Sequence, residues 1–509
     1  MERLRARLTD VGFTVERVQA LLGPEAQGAL LRNETTPAER ATRDGSPLST
    51  LVRLFSLQRP EPAAAVEAAL PGQVDDLVRR GVLARDGDAV RAVVDVRPYG
   101  DETHDWWVVC DLTPGLDTRP IEVGPEHVLG ISEASSSLAQ LTVPGPSLRP
   151  SPRFGTSSPV SSTGMGDDVP NRGESTRALD LGTGCGVQAL HLAHGHDRVV
   201  ATDVNPRALW AARLTAELNG VDVDVRDGSF WDPVAGERFD TIATNPPFVV
   251  SPPTGDRLVY REGSLETDGV VRTVVAGAAD HLVPGGWCQV LGSWVHTDEP
   301  WQDRLGGWVG ATGLDAWVVQ REVVDLSAYV EMWLADAGVR HRPDYTARYD
   351  AWLDWFDDQG VEAMAFGWIS LRAAHRDVPV LRLEEWRHEV VPPVGAAVLA
   401  WGERADALAA ADDVLDVRWR QAPTLTQETF GRAGEEDPEA IVLRLGEGLR
   451  RAAQVDTVQA GLVGALDGDL TAGEVLDALA QLLERDPEAL REQYRPVVHE
   501  LVADGLLVP

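Results

Sequence analysis

Between residues 177 and 250, short apolar runs alternate with stretches whose apolar positions recur every three or four residues. The series runs "RALDLGTG", "VQALHLAHGH", "RVVATDV", "PRALWAARLTAELNG", "DVDVRDG" and "FDTIATN". Compact apolar runs suit strands covered on both faces, and the three-to-four spacing suits helices lying on a sheet. Their alternation predicts βαβ units and a parallel sheet. The pattern continues through a helix near 268–282, the strand-like "WCQVLGSWV" and "AWVVQREVV", two Trp-rich helical stretches, and "EAMAFGWISLRAA" ending near residue 374.

Upstream, "LSTLVRLFSLQ" and "PAAAVEAALPGQVDDLVRRGVLARDGDAVRAVVDVRPY" read as helix, turn and helix, then two β-rich runs flanking an Asp-Gly, which is a hairpin signal. That order predicts a helical, winged-helix-like N-terminal domain over residues 1–98. A strand-rich connector, 99–143, holds a strand-like pair within 104–125 and leads through "HVLGISEASSSLAQLTV" into an α/β domain over 176–376. Residues 144–175 are so rich in Ser, Pro and Gly that they cannot bury a core, which predicts a disordered loop. Residues 377–509 carry the acidic loop "GRAGEEDPEA" and then helices. Their closing "HELVADGLLVP" faintly echoes "DLVRRGVLARDG", so the expected C-terminal domain is mostly helical, with a second winged-helix-like module as a candidate.

Charge and composition narrow the picture. The 509 residues carry a net charge of −34, and all 46 basic residues are arginine. Arginines and acids balance over the first hundred residues, so the acidity lies in the rest of the chain. Such a surface repels nucleic acid except along a local basic track. No apolar run approaches the ~18 residues of a membrane span. The opening "MERLRARLTDVGF" lacks the apolar core of a signal peptide, so a cytoplasmic protein is expected. Cys110, Cys185 and Cys288 are too scattered for a disulfide framework or a metal pattern. His191, His194 and His196 have no acidic or cysteine partner nearby, which leaves them packing or surface roles and predicts no metal site.

The candidate chemistry begins at "ALDLGTGCGVQAL", where Gly182, Gly184 and Gly186 fall on a strand-to-helix turn that lets a ligand approach the backbone. The next strand ends in Asp203, placed to accept hydrogen bonds from both hydroxyls of a ribose. A dinucleotide fingerprint would read G-x-G-x-x-G, and a phosphate-binding loop would need a lysine that this chain lacks. Farther on, "IATNPPFVV" sets an asparagine, two prolines and a phenylalanine after an apolar run. Proline cannot donate to a sheet ladder, so the strand ends there with Asn245 and Phe248 held on a stiff turn.

Together these motifs resemble the class I S-adenosylmethionine-dependent methyltransferases, whose fold is a doubly wound, Rossmann-like α/β sheet. The resemblance covers roughly residues 177–374. It implies that Asp180, Gly182, Thr183, Gly184, Cys185, Gly186 and Asp203 bind S-adenosylmethionine, that Phe230 flanks the adenine, and that Asp227 substitutes for the family's usual acid, which is Ser229 here. The "NPPF" tetrapeptide resembles the signature of enzymes that methylate planar nitrogens, and it gives the catalytic set Asn245, Pro246, Pro247 and Phe248, with Asn245 also near the cofactor. In that reading the Asn245 oxygen and the Pro246 carbonyl accept the two N–H bonds of the acceptor, while Phe248 offers a stacking face. Cys185 needs only to be small, and Arg261 and Glu262 either line the substrate entrance or are solvated loop charges, in both cases without a catalytic role. The expected partner is a macromolecular acceptor. A glutamine of a translation factor or ribosomal protein comes first, because "DLGTG" and "NPPF" are close to the motifs of release-factor methyltransferases. An RNA or DNA base (adenine N6 or guanine N2) is the alternative, and a small molecule or a non-catalytic nucleotide-binding scaffold follows.

Overall fold

The computed structural model describes residues 1–101, 103–118, 124–146, 175–253, 267–340, 342–374, 376–432 and 438–509. Most of the Ser/Pro/Gly-rich stretch, and Arg261 with Glu262, lie outside the described residues. The chain forms two compact units: residues 1–139 with 145–384, and 140–144 with 385–509.

The first unit opens with α1 (Glu2–Val11), α2 (Val15–Leu30) and α3 (Thr36–Ala41). Next, α4 (Pro47–Leu51) starts where the Ser46 hydroxyl caps the Ser49 N–H and Pro47 occupies the first turn, and it continues as a π-turn over Val52–Ser56. β1 (Glu61–Pro62), α5 (Ala63–Ala69), α6 (Val74–Arg79), β2 (Leu83–Asp86) and β3 (Ala89–Ala92) follow. The three strands form an antiparallel sheet in the order β1–β3–β2, so the segment from α4 to β3 has the element order of a winged helix. β4 (Asp95–Gly100) pairs with β5 (Asp105–Cys110), so the partner of the strand expected after residue 104 lies before it rather than after it.

After α7 (Glu133–Leu141) come β6 (Arg177–Leu181), α8 (Val187–Gly195), β7 (Arg198–Asp203), α9 (Pro206–Asn219), β8 (Val223–Asp227), β9 (Phe239–Thr244), α10 (Gly269–Gly277), β10 (Leu282–His296), α11 (Trp301–Gly310), β11 (Asp315–Asp325), α12 (Leu326–Asp336), α13 (Tyr345–Asp358), β12 (Ala363–Arg372) and β13 (Leu381–Glu385). Eight strands form one sheet in the order β13–β11–β12–β10–β9–β6–β7–β8. β8, β7, β6, β9 and β10 run parallel, and β12 is antiparallel to β10 and β11 on either side. This is the Rossmann-like α/β sheet expected from the alternating pattern, with β13 added at its edge.

Two attachments fix the site. The β4–β5 hairpin seats on α9: the Val109 N–H donates to Thr215 Oγ1 at 3.0 Å, and Asn219 exchanges hydrogen bonds with both the N–H and the C=O of Trp107. The other is the α12–α13 pair, inserted between β11 and β12. Its buried Tyr329, Trp352 and Phe356 pack with Val249 and Val250 just beyond the Asn-Pro-Pro-Phe turn. The Tyr329 hydroxyl accepts from the Val250 N–H at 2.8 Å, tying down that end of the turn.

The second unit holds α14 (Gly395–Ala410), β14 (Arg420–Gln421), β15 (Leu425–Phe430), β16 (Ala440–Leu445), β17 (Ala452–Val455), α15 (Thr457–Ala465), α16 (Ala472–Leu482), α17 (Pro487–Ala503) and β18 (Leu507–Val508). It is helix-rich, but β15–β16–β17 form an antiparallel sheet that the sequence reading did not anticipate. Among the described residues, no helix is long and apolar enough to cross a membrane.

Candidate active site

A cavity of about 510 Å³ opens at the carboxyl ends of β6, β7 and β9, where the strand order reverses between β6 and β9. Ligands of open α/β sheets bind at such a reversal, because the loops on either side diverge and leave a crevice.

Backbone bonding shapes the glycine loop. The Thr202 carbonyl at the end of β7 accepts from the N–H groups of Gly182 and Thr183, at 2.9 and 2.8 Å, which folds the loop back over the sheet. Gly182 and Gly184 have φ of 75° and 55°, and a Cβ added to either would meet no atom within 4 Å. These two positions need glycine for backbone conformation and face open space where a ligand can approach. Gly186 differs: at φ 88° an added Cβ would come within 3.4 Å of Ala212 Cα, so this glycine lets α8 pack on α9. It is not part of the cavity wall.

Asp203 closes the loop from the next strand. One carboxylate oxygen accepts from the Gly184 N–H and the other from the Asn205 N–H, each at 2.9 Å. Burial raises its pKa, against the lowering effect of backbone hydrogen bonds from Asn205, Gly184 and Val204. Asp180 lies deeper, 1% exposed. Its Oδ2 accepts from Thr183 Oγ1 at 2.6 Å and from the Ala189 N–H at 2.9 Å. Burial pushes this carboxyl up to about 7, despite those two hydrogen bonds.

Opposite the loop, Asn245, Pro246 and Pro247 line the cavity beyond β9. Thr244 anchors them through a 2.7 Å bond from its hydroxyl to the Leu181 carbonyl, across the strand reversal. The Asn245 side-chain oxygen is buried and, among the described residues, has no hydrogen-bond partner. Phe230 also lines the cavity, with φ of 46°, a left-handed conformation that a bulky residue adopts only when its surroundings impose it.

Two other expected residues stand apart from the cavity. Asp227 ends β8 in register with Asp203, but its side chain is exposed and does not reach the wall. Phe248 is half-buried outside it, its ring edge-on to Phe366 with centroids 6.2 Å apart and its carbonyl held by Ser293 Oγ at 2.7 Å.

One wall was absent from the sequence reading. His127, Val128, Leu129, Gly130, Ser132 and Ser135 of the connector cross the cavity, joined by Gln188 of α8 and by Thr202. Nothing in the periodicity of this segment pointed to a site. The signal available in sequence was Gln188, a polar residue within the apolar face of α8. Among the described residues, no group of three or more His, Cys, Asp or Glu could hold a metal ion.

Residues 165–297 match the model of the methyltransferase small domain, and residues 10–93 and 399–509 match two families described as domains of unknown function. A release factor glutamine methyltransferase of Xylella fastidiosa is 37% identical over 129 residues, which is 23% of this chain and 47% of the relative. The enzyme of the same name from Deinococcus radiodurans is 42% identical over 128 residues, covering 23% and 45%. A ribosomal RNA small subunit methyltransferase C of Alcanivorax borkumensis is 29% identical over 116 residues, covering 23% and 32%. The chain therefore spans less than half the length of these curated relatives. Among solved structures, the T. thermophilus 16S rRNA N2 G1207 methyltransferase in complex with AdoMet and guanosine matches with a TM-score of 0.26 and 19% identity, covering 44% of this chain and 51% of that one. The central domain is therefore a methyltransferase small domain, similar in sequence to S-adenosylmethionine-dependent methyltransferases. S-adenosylmethionine is the cofactor that this domain implies, and the open glycine loop with Asp203 at one cavity is a donor and acceptor set that fits it.

Proposed function

We propose that this protein transfers a methyl group from S-adenosylmethionine to a planar nitrogen, with a protein glutamine side chain as the acceptor. The observation that carries the reading is the buried, unbonded Asn245 oxygen at the edge of a cavity whose far wall is a glycine loop closed by an acid. A buried acceptor left without a partner costs about 1–3 kcal/mol, so it persists where an incoming N–H completes it.

When bound, S-adenosylmethionine supplies a methyl group activated on a sulfonium. Gly182 and Gly184 admit it to the backbone, and Asp203 accepts from its ribose hydroxyls through lone pairs not used by Gly184 and Asn205. On the acceptor side, Asn245 Oδ1 and the Pro246 carbonyl take the two N–H bonds of the amide. That orientation turns the nitrogen lone pair, otherwise delocalised into the carbonyl, toward the methyl group, and it stabilises the positive charge that develops on nitrogen. The proton leaves after transfer, so a strong base is not required of these residues.

Relatives named release factor glutamine methyltransferases support the choice of glutamine, as does the acidity of the chain beyond its first hundred residues. A ribosomal protein or translation factor in the cytoplasm is the fitting partner. A second reading, transfer to an RNA base, is favoured by the winged-helix element order from α4 to β3. The test is incubation with tritiated S-adenosylmethionine and a ribosome- and factor-containing extract, followed by protease or nuclease. Label lost to protease supports glutamine, and label lost to nuclease moves the acceptor to RNA. No label in any fraction, from a protein that also fails to bind the cofactor, overturns the proposal.

A further inference from the structure

Within the same cavity Gln188 is 5% exposed and stands in the first turn of α8. Its amide is used on one side only. Nε2 donates to the Ser135 carbonyl at 2.6 Å, whereas Oε1 is buried without a partner among the described residues. The orientation of the amide is fixed by chemistry: a carbonyl only accepts, so the atom facing Ser135 must be the NH2, and the oxygen must be the atom left over. Gln188 lines the cavity together with Asp180, the deepest acid of the site. An acceptor and an acid beside the first turn of α8 form a socket for a cationic donor, and within reach of the glycine loop the proposed cofactor has one such group, its α-ammonium.

We infer that Gln188 holds the α-ammonium of S-adenosylmethionine through Oε1 while its NH2 braces the connector wall at Ser135. This rests on the methyltransferase reading, which supplies the ligand. Gln188 is a positioning residue: it fixes the amino-acid end of the cofactor and couples that end to the Ser132–Ser135 wall. An ammonium there also favours the ionised form of Asp180, which burial disfavours, so the two acceptors favour the same charge.

The test is binding of three ligands by calorimetry to the full chain and to Gln188→Met and Gln188→Leu, with folding checked by circular dichroism. S-adenosylhomocysteine carries the amine and carboxylate, decarboxylated S-adenosylmethionine keeps the amine alone, and 5′-methylthioadenosine lacks both. The expected result is about tenfold or greater weakening for the two amine-bearing ligands, the loss of one hydrogen bond to a charged group, with 5′-methylthioadenosine unchanged. Equal weakening of all three would reduce Gln188 to a brace for the wall, and no weakening would remove it from the site; either overturns the inference. Wild-type protein that bound none of the three would instead sink the methyltransferase reading itself.

Discussion

At the glycine loop, Asp203 commits both carboxylate oxygens to the N–H groups of Gly184 and Asn205, and the Thr202 carbonyl takes two more. Across the cavity, Asn245 is held on a stiff Pro-Pro turn with its side-chain oxygen buried and unbonded. One wall is preorganised by its own hydrogen bonds, and the other presents a bond not yet made. The difference matches the two jobs proposed for them. A cofactor that must bind before every turnover gains from a finished socket, whose ordering has been completed on folding. A group that acts on the reacting nitrogen is most effective when its interaction is strongest as charge develops.

The largest effect should come from the unbonded side. Asn245→Ala should leave S-adenosylhomocysteine binding nearly intact and slow transfer to the acceptor by about two to three orders of magnitude, the loss typical of removing one preorganised polar group. Single-turnover rates beside calorimetric affinities separate the two effects. A variant as fast as wild type would make the turn merely structural and dissolve the contrast.

On the finished side the deficit should fall on binding. Asp203→Ala removes the proposed acceptor for two ribose hydroxyls and releases the Gly184 and Asn205 N–H groups. Affinity for S-adenosylhomocysteine should therefore drop by about tenfold to a hundredfold, since hydrogen bonds to a charged group are worth about 1.5–3 kcal/mol. If affinity held and only the rate fell, the two walls would have to exchange roles.

Asp180 tests how strained the finished wall is without its ligand. Its folded pKa of about 7 lies above the 3.8 of an ordinary aspartate, so between these values the folded state retains a proton that the unfolded chain gives up. The free protein is thus penalised progressively as pH rises from near 4 to near 7, and pays no penalty below that window. Asp180→Asn can still accept from Thr183 and Ala189, yet has nothing to ionise. It should stabilise the free protein at pH 8 by about 1–2 kcal/mol, less than the roughly 4 kcal/mol linkage bound, and by almost nothing at pH 4. Denaturant melts at the two pH values measure the difference; an equal change at both would mean that the carboxyl ionises freely.

These contrasts show where the sequence was legible. Alternating apolar runs exposed the parallel sheet because strands buried on both faces must be apolar throughout, and Asp203 was readable as a charge at the end of such a run. Gly182 and Gly186 looked alike, since spacing does not say whether a glycine faces a ligand or a helix; only the approach of Ala212 separates them. The His127–Ser135 wall was unreadable for another reason. It lies far from the glycine loop in sequence and joins the cavity by tertiary packing, with Gln188 as its tie. In the second unit, β15–β17 escaped notice because β15 reads "LTQETF", mostly exposed and apolar only at its two ends, so no alternation marks it as a strand.

The smallest expected effect concerns the one signature residue that the cavity does not include. Phe248 sits half-buried, edge-on to Phe366, in a turn held by Ser293 at its carbonyl and, two residues on, by Tyr329 at the Val250 N–H. If its ring meets the acceptor, it does so by its face, and a hydroxyl at the ring's far end leaves that face unchanged. Phe248→Tyr should therefore keep the transfer rate within about threefold of wild type, a change of under 1 kcal/mol in the barrier. Phe248→Ala should lose far more, both the face and the packing against Phe366. The pair of variants reads which surface matters. Should Tyr cripple transfer while stability and cofactor affinity hold, the acceptor must pass the ring's tip rather than its face, and the unbonded wall would extend past Asn245 to Phe248.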